Sequence, residues 1–145
     1  MKTLLCLVLT FGAILQISAA ETQGLYLRAV VDEGTEGAIQ MDDDDGQTVY
    51  LSSAAIITPD DVESAELKSD DPVSISFTFK SSGQTKLGKA TRSMIGKKLA
   101  IIVDGKLLST PVVQAEFSTG ADVTGNFTLE AAESVVKRVK ARKNP

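Results

Sequence analysis

The chain has 145 residues, no histidine and a single cysteine, and carries 15 basic against 19 acidic side chains. Without histidine, and with Cys6 confined to an amino-terminal apolar run, it has no Ser-His-Asp triad, no Cys-His dyad and no ordinary zinc site, which leaves carboxylate, lysine, threonine and tyrosine chemistry. The net charge of −4 makes nucleic acid a poor partner.

Met1-Lys2 is a short positive segment, and residues 4–17 are an uncharged apolar run with Gln16 as its only strongly polar side chain. This is the anatomy of a signal peptide, shorter than the roughly 20 apolar residues that a spanning helix needs. The small side chains of Ser18 and Ala20 suit a signal peptidase, so cleavage is expected between Ala20 and Glu21. An uncleaved run would instead tether the domain to a membrane. The mature chain holds no thiol, so its stability rests on a hydrophobic core, and about 125 residues suffice for one core. The expected organisation is a signal peptide at 1–20, an entry strand and acidic loop at 21–46, and the main domain at 47–145, with 25–31 belonging to the same fold. Residues 21–71 hold 14 acidic and 2 basic side chains, whereas residues 72–145 hold 5 and 12. Within one domain such halves interleave, so the asymmetry reads as a solvated surface; the alternative is two faces with different partners.

Leu25, Leu27, Ala29 and Val31 alternate with Tyr26, Arg28 and Val30, the period of a strand with one buried face. Residues 33–46 are glycine-rich and acidic, and repulsion among Asp42, Asp43, Asp44 and Asp45 predicts a solvated loop. The segment is no EF-hand: with Gly46 as the loop glycine, Met41 falls at the first ligand position and Ser52 where a bidentate glutamate belongs. Residues 49–51 and 54–57 read as short strands. Thr58-Pro59-Asp60-Asp61 has the form of a helix start, with a capping hydroxyl, a proline suited to the first turn and two carboxylates that complement the dipole. That helix is short, with Val62 and Ala65 inward and an end at Ser69-Asp70-Asp71-Pro72.

Val73, Ile75, Phe77 and Phe79 alternate without error against Ser74, Ser76, Thr78 and Lys80, as in a strand with one face on a core and the other in water. Ser81-Ser82-Gly83-Gln84 is a capping box opening a second helix, with Leu87, Ala90, Met94 and Ile95 on one face and Gly96 as a left-handed stop. Gly88 inside it costs about 1 kcal/mol relative to alanine, so this helix leans on tertiary packing. Residues 99–103 are continuously apolar, which suggests a central strand, and Asp104-Gly105 is a favoured hairpin turn. The return strand begins at Lys106 and is interrupted by Pro111, which predicts an edge position or a bulge before Val112, Val113 and Phe117. A turn at residues 118–122 leads to Val123-Thr124-Gly125. The last helix opens at Thr128, with Leu129, Ala132, Val136 and Val139 inward and Lys137, Arg138, Lys140, Arg142 and Lys143 near its carboxyl end. That basic cluster suits the helix dipole, and a contact with anionic lipid or a partner is the sharper alternative. Together these elements predict an α+β fold: a largely antiparallel or mixed sheet that holds residues 73–79 and 98–103 together, covered by about three helices.

From Tyr50 onward the order of motifs resembles one family. TPDDVESA from Thr58, the strand VSISFTF, the helix start FKSSGQ, IGKKLAIIVDGKLLSTPVV from Ile95 and GNFTLEAA from Gly125 are similar to the head subdomain of the first large periplasmic domain of SecD, an accessory subunit of the bacterial protein-export machinery. The last two segments are the specific ones. LYLRAVVDE at Leu25 is similar to the family's entry strand, so the resemblance covers nearly all of the mature chain. It implies the SecD periplasmic-head fold and a role in contact with emerging or unfolded polypeptide outside the membrane. No residue matches the membrane-embedded charges of the SecD motor, nor its base subdomain or membrane helices. The resemblance therefore implies a stand-alone exported head, periplasmic or secreted, without a membrane span in its mature form. Asn126-Phe127-Thr128 is formally a glycosylation sequon, which in this family setting is a turn and a helix cap.

The expected function is a non-enzymatic binding module that holds unfolded or extended polypeptide, or a protein partner, on a sheet edge or groove, with no catalytic residue, metal or cofactor. Candidate contacts are Pro111, Val113 and Phe117, where the interrupted strand offers unpaired backbone groups, and Phe127, at a corner with Gly125 and Asn126. Burial or turn-making is the competing account of each. The alternatives are a membrane-tethered export accessory, a secreted interaction module unrelated to export, and a hydrolase using a carboxylate pair such as Asp104 and Asp122. The last is disfavoured because both aspartates lie in predicted turns, where backbone hydrogen bonding explains them.

Overall fold

Alternating side chains build most of the strands in the computed structural model of the protein, which describes residues 23–143. The expected leader, with its cleavage point at Ala20 and Glu21, lies outside them. In chain order the elements are β1 (Leu25–Val30), β2 (Ile39–Asp42), β3 (Thr48–Ile57), β4 (Val62–Asp70), β5 (Val73–Phe79), α1 (Ser81–Ser93), β6 (Leu99–Val103), β7 (Lys106–Ser109), β8 (Gly120–Thr124) and α2 (Leu129–Lys143). The strands form a five-stranded sheet in the order β2-β3-β1-β6-β7 and a three-stranded sheet in the order β4-β5-β8, and every pairing between them is antiparallel.

The α+β architecture is the one expected, but β5 and β6 lie in different sheets rather than together. Each is already paired on both sides, β5 by β4 and β8, and β6 by β1 and β7, so neither has an edge left for the other. Two α-helices, not three, complete the described fold. The first expected helix starts as forecast, with the Thr58 amide and hydroxyl donating to the Asp61 carboxylate at 3.0 and 3.2 Å. It stops after a single 3-10 turn, Pro59–Asp61, and the chain continues as β4. A short helix with two inward side chains is marginal, whereas the same residues as a strand pair along β5 from Val62 to Asp70. An irregularity in pairing between Val62 and Ser64 lets Val62 and Ala65, three residues apart, both reach the core.

Other boundaries move for local reasons. The acidic stretch expected to be loop as far as Gly46 contains β2, which pairs from Ile39 to Asp42 with β3. The turn that follows is closed by Asp43, whose Oδ1 accepts from the amides of Asp45 and Gln47 at 3.0 and 2.8 Å. Residues 49–51 and 54–57 belong to one strand, β3. Helix α1 is capped at Lys80, one residue before the expected capping box, and Gln84 donates instead to the Phe79 carbonyl at 2.8 Å. Ile95 is 54% exposed rather than inward, because the helix has ended at Met94 and Gly96, at φ 84°, turns the chain away. Leu129, also expected inward, is exposed at the first position of α2.

The main core joins Leu25 and Leu27 of β1, Phe77 and Phe79 of β5, Leu87 of α1 and Val135 of α2. A second, smaller cluster of Leu51, Ala100, Ile102 and Leu107 packs with Tyr26 and Val30. Strand β6 contributes Leu99 and Val103 to the first cluster and Ala100 and Ile102 to the second, which is why residues 99–103 are apolar without alternation. The uneven charge of the chain is matched inside the fold: Lys86 pairs with Asp61, Lys106 with Asp44 and Lys143 with Glu63, each joining the basic half to the acidic half.

Candidate functional site

Strand β7 is an edge of the larger sheet, and the segment after it keeps the register that β7 has at Ser109, beyond the irregularity in its pairing with β6. Ser109 stands opposite Ile101, and beyond Pro111 an isolated bridge sets Val112 opposite Lys98 with the same offset. Proline thus removes a donor from the strand without changing its alignment. The Leu99 amide donates to the Pro111 carbonyl at 2.9 Å, Val113 donates to Lys97 at 2.9 Å, and Gly96 donates to Val113 at 2.8 Å. Those bonds turn the backbone of Val113 inward. By antiparallel alternation the backbone groups of Val112 and Gln114 point outward, to the open side.

The side chains divide accordingly. Pro111 is exposed and Val112 is 48% exposed, whereas Val113, 4% exposed, belongs to the main core. Phe117 is half-buried against that core and anchors the end of the segment: its amide donates to Thr91 Oγ1 at 3.1 Å. A Cβ on Gly88 would stand 3.3 Å from Ser118 Cβ, so the glycine that weakens α1 lets the segment lie close against it. Glu116 receives both Nε and an Nη of Arg92, at 2.8 and 3.2 Å.

Phe127 lies elsewhere, lining an apolar cleft of about 220 Å³ with Ile75, Val103, Leu108, Ala132 and Val135, and with Asp104 and Lys106 also on its wall. Gly125 keeps the space beside it free, since a Cβ there would stand 3.2 Å from both Leu108 and Phe127. Lys106 Nζ donates to the Asn126 carbonyl at 2.9 Å and fixes the corner. Thr128 caps α2 as expected, its hydroxyl accepting from the Ala131 amide at 3.2 Å.

The carboxylates considered for hydrolysis have structural employment. Asp104 takes φ 51° in the β6–β7 turn, accepts from the Gly24 amide at 2.8 Å and pairs with Arg138. Asp122 lies in β8 of the other sheet, not in a turn, and pairs with Lys68, which with Ser76 holds its carboxyl below the usual aspartate range. Among the described residues no group of three or more His, Cys, Asp or Glu side chains is placed to hold a metal ion. No described helix is long and apolar enough to cross a membrane. The outward role of Val112 and Gln114 is not visible in their own sequence; the one available signal was that Pro111 and Val113, two apart, must share a side of the strand.

A family described as "SecDF, P1 head subdomain" matches residues 36–141. The chain belongs to that family. Strand β1 precedes the matched span yet lies in the larger sheet between β3 and β6, so the SecDF head fold of this chain draws on residues upstream of the match. The protein translocase subunit SecD of Aquifex aeolicus (strain VF5) is 35% identical over 94 residues, 63% of this chain and 19% of that protein. SecD of Sebaldella termitidis is 40% identical over 68 residues, 46% of this chain and 17% of that protein. The chain thus spans less than a fifth of the length of these two relatives. A solved structure from work on "a membrane component SecDF that enhances protein export" superposes with a TM-score of 0.62 at 21% identity, over 85% of this chain and 64% of that one. SecDF in its super-membrane-facing form gives 0.62 at 22% identity, over 83% and 19%. These two structures share the fold of this SecDF head.

Proposed function

We propose that this chain is a non-enzymatic, exported SecDF-type head, periplasmic or secreted, that takes part in protein export by holding extended polypeptide. The supporting observation is the edge at residues 112–114, which continues the register of β7 and turns the backbone groups of Val112 and Gln114 outward. An extended guest adds there as a further strand, and its main-chain bonds are indifferent to sequence, as a carrier of many different chains requires. Pro111 and Phe127 are contact residues in this reading, the second through its apolar cleft, while Val113 and Phe117 support the edge from beneath. The names of the SecD relatives, protein translocase subunits, point the same way.

The test is titration calorimetry and crosslinking of the exported protein with a panel of unfolded proteins. Reversible, weak binding is expected, without turnover of any of them. Gln114→Pro removes an outward amide and no core group, so it weakens binding while the melting temperature stays the same. Absence of binding to every unfolded substrate, with a folded partner recovered from the native envelope, would replace this reading with a dedicated protein-interaction module.

A further inference from the structure

We infer that the edge at residues 112–114 selects extended segments that carry an apolar and an acidic side chain two residues apart, on one face of the strand; this rests on the reading of that edge as a strand-addition site. Val112 and Lys98 are direct partners across the bridge, so their side chains share one face of the sheet. Both are exposed, and Gln114, two residues on, lies on the same face. A guest strand would lie about 4.8 Å outside Val112, placing one of its side chains against Val112 and the next but one alongside Gln114. Lys98, exposed on that same face, supplies the positive charge that this second position meets.

The cations here lack carboxylate partners among the described residues. Lys97 and Lys98 are exposed and form no ion pair with any described residue, whereas Lys86, Arg92, Lys106, Arg138 and Lys143 each have an acidic partner. Glu116, on the same segment, is taken by Arg92 through two bonds. Ile95 and Val112, two of the large apolar side chains most exposed among the described residues, flank the Lys97-Lys98 pair along the chain and across the bridge. A surface that is apolar and cationic together is complemented by a guest that is apolar and anionic.

The experiment uses the exported protein and three labelled peptides of equal length built on the repeat Val-Thr-X-Thr, with X being Glu, Gln or Lys, followed by fluorescence anisotropy. The Glu peptide is expected to bind about fivefold or more tighter than the Lys peptide, with the gap closing as salt is raised. Lys98→Glu should reverse the order and Lys98→Gln should abolish it, with melting curves of both variants matching the parent. Equal binding of all three peptides, each weakened by Gln114→Pro, would overturn the charge preference and leave the edge reading standing. Absence of binding to any peptide or unfolded protein would remove both. Capture of anionic phosphatidylglycerol vesicles, without discrimination among the peptides, would make this a lipid surface and overturn the preference as well.

Discussion

Lys106, the first residue of β7, holds Asp44, in the turn between β2 and β3, with Nζ 3.1 Å from Oδ1. Strands β2 and β7 are the two edges of the five-stranded sheet, so this contact links its opposite margins and requires the sheet to coil strongly. Because Lys106 also donates to the Asn126 carbonyl, one ammonium ties both margins to the corner that carries Phe127. Lys106→Ala is expected to cost about 1 kcal/mol, and Asp44→Asn less than about 0.5, since both side chains of the pair are well exposed. Urea unfolding of the two variants checks this, and equal losses would mean that the bond to Asn126 contributes nothing.

Phe77 stands at the centre of the small sheet, opposite Ala65 on one side and Ala121 on the other, and is fully buried. Phe77→Ala should lower stability by about 3 to 5 kcal/mol, because the surrounding strands cannot close over the space. Ile101→Ala should cost less, as Ile101 is only half-buried against the core. Denaturation midpoints at unchanged slope are the measure. Parental stability of the first variant would mean that this face of β5 does not carry the core.

Asp61 is a buried carboxylate, 4% exposed, at the junction of β3, β4 and α1. Burial pushes its pKa up, but the hydrogen bond from Lys86 at 2.9 Å, those from the Thr58 amide and hydroxyl, and the Lys86 charge together outweigh burial and hold it below 3.8. A folded-state pKa below the unfolded value gives stability that is fully present above the unfolded value and is lost as pH falls through the folded one. Asp61→Asn should therefore destabilise by about 1 to 3 kcal/mol near neutral pH. Its deficit against the parent should narrow as pH falls below 3.8. Chemical unfolding of both proteins across that range decides it, and a deficit independent of pH would assign the loss to the amide group set among the Thr58 and Lys86 donors rather than to the lost charge.

Elements whose signal is local were legible in the sequence. The alternation of β5, the two-sided apolar run of β6 and the Asp104-Gly105 turn, with φ 51° and 77°, need no knowledge of neighbours. Strand β4 was read as a helix because Thr58-Pro59-Asp60-Asp61 is a sound helix start, and the spacing of Val62 and Ala65 imitates a helical period that an irregular pairing in fact produces. The vacant edge of β5, which draws that segment into a strand, is a long-range fact. The same holds for the site: Pro111 marked an edge, but only pairing with residues 96–99 decides that Val113 faces in and Val112 out. Strand β2 was hidden by the run of aspartates, of which only Asp42 lies in the strand.

The segment that carries the open edge is fastened at both ends, upstream by its register with β6 and downstream by the bond from Phe117 to Thr91 and the close approach of Ser118 to Gly88. Its backbone is therefore already extended, so on the proposed reading the host would lose little freedom on binding a guest strand. The ordering entropy falls on the guest, at about 1 to 2 kcal/mol for each residue straightened, and offsets most of what a few main-chain bonds contribute. On the proposed strand-addition reading, a guest held over two or three residues would therefore be bound weakly and released quickly.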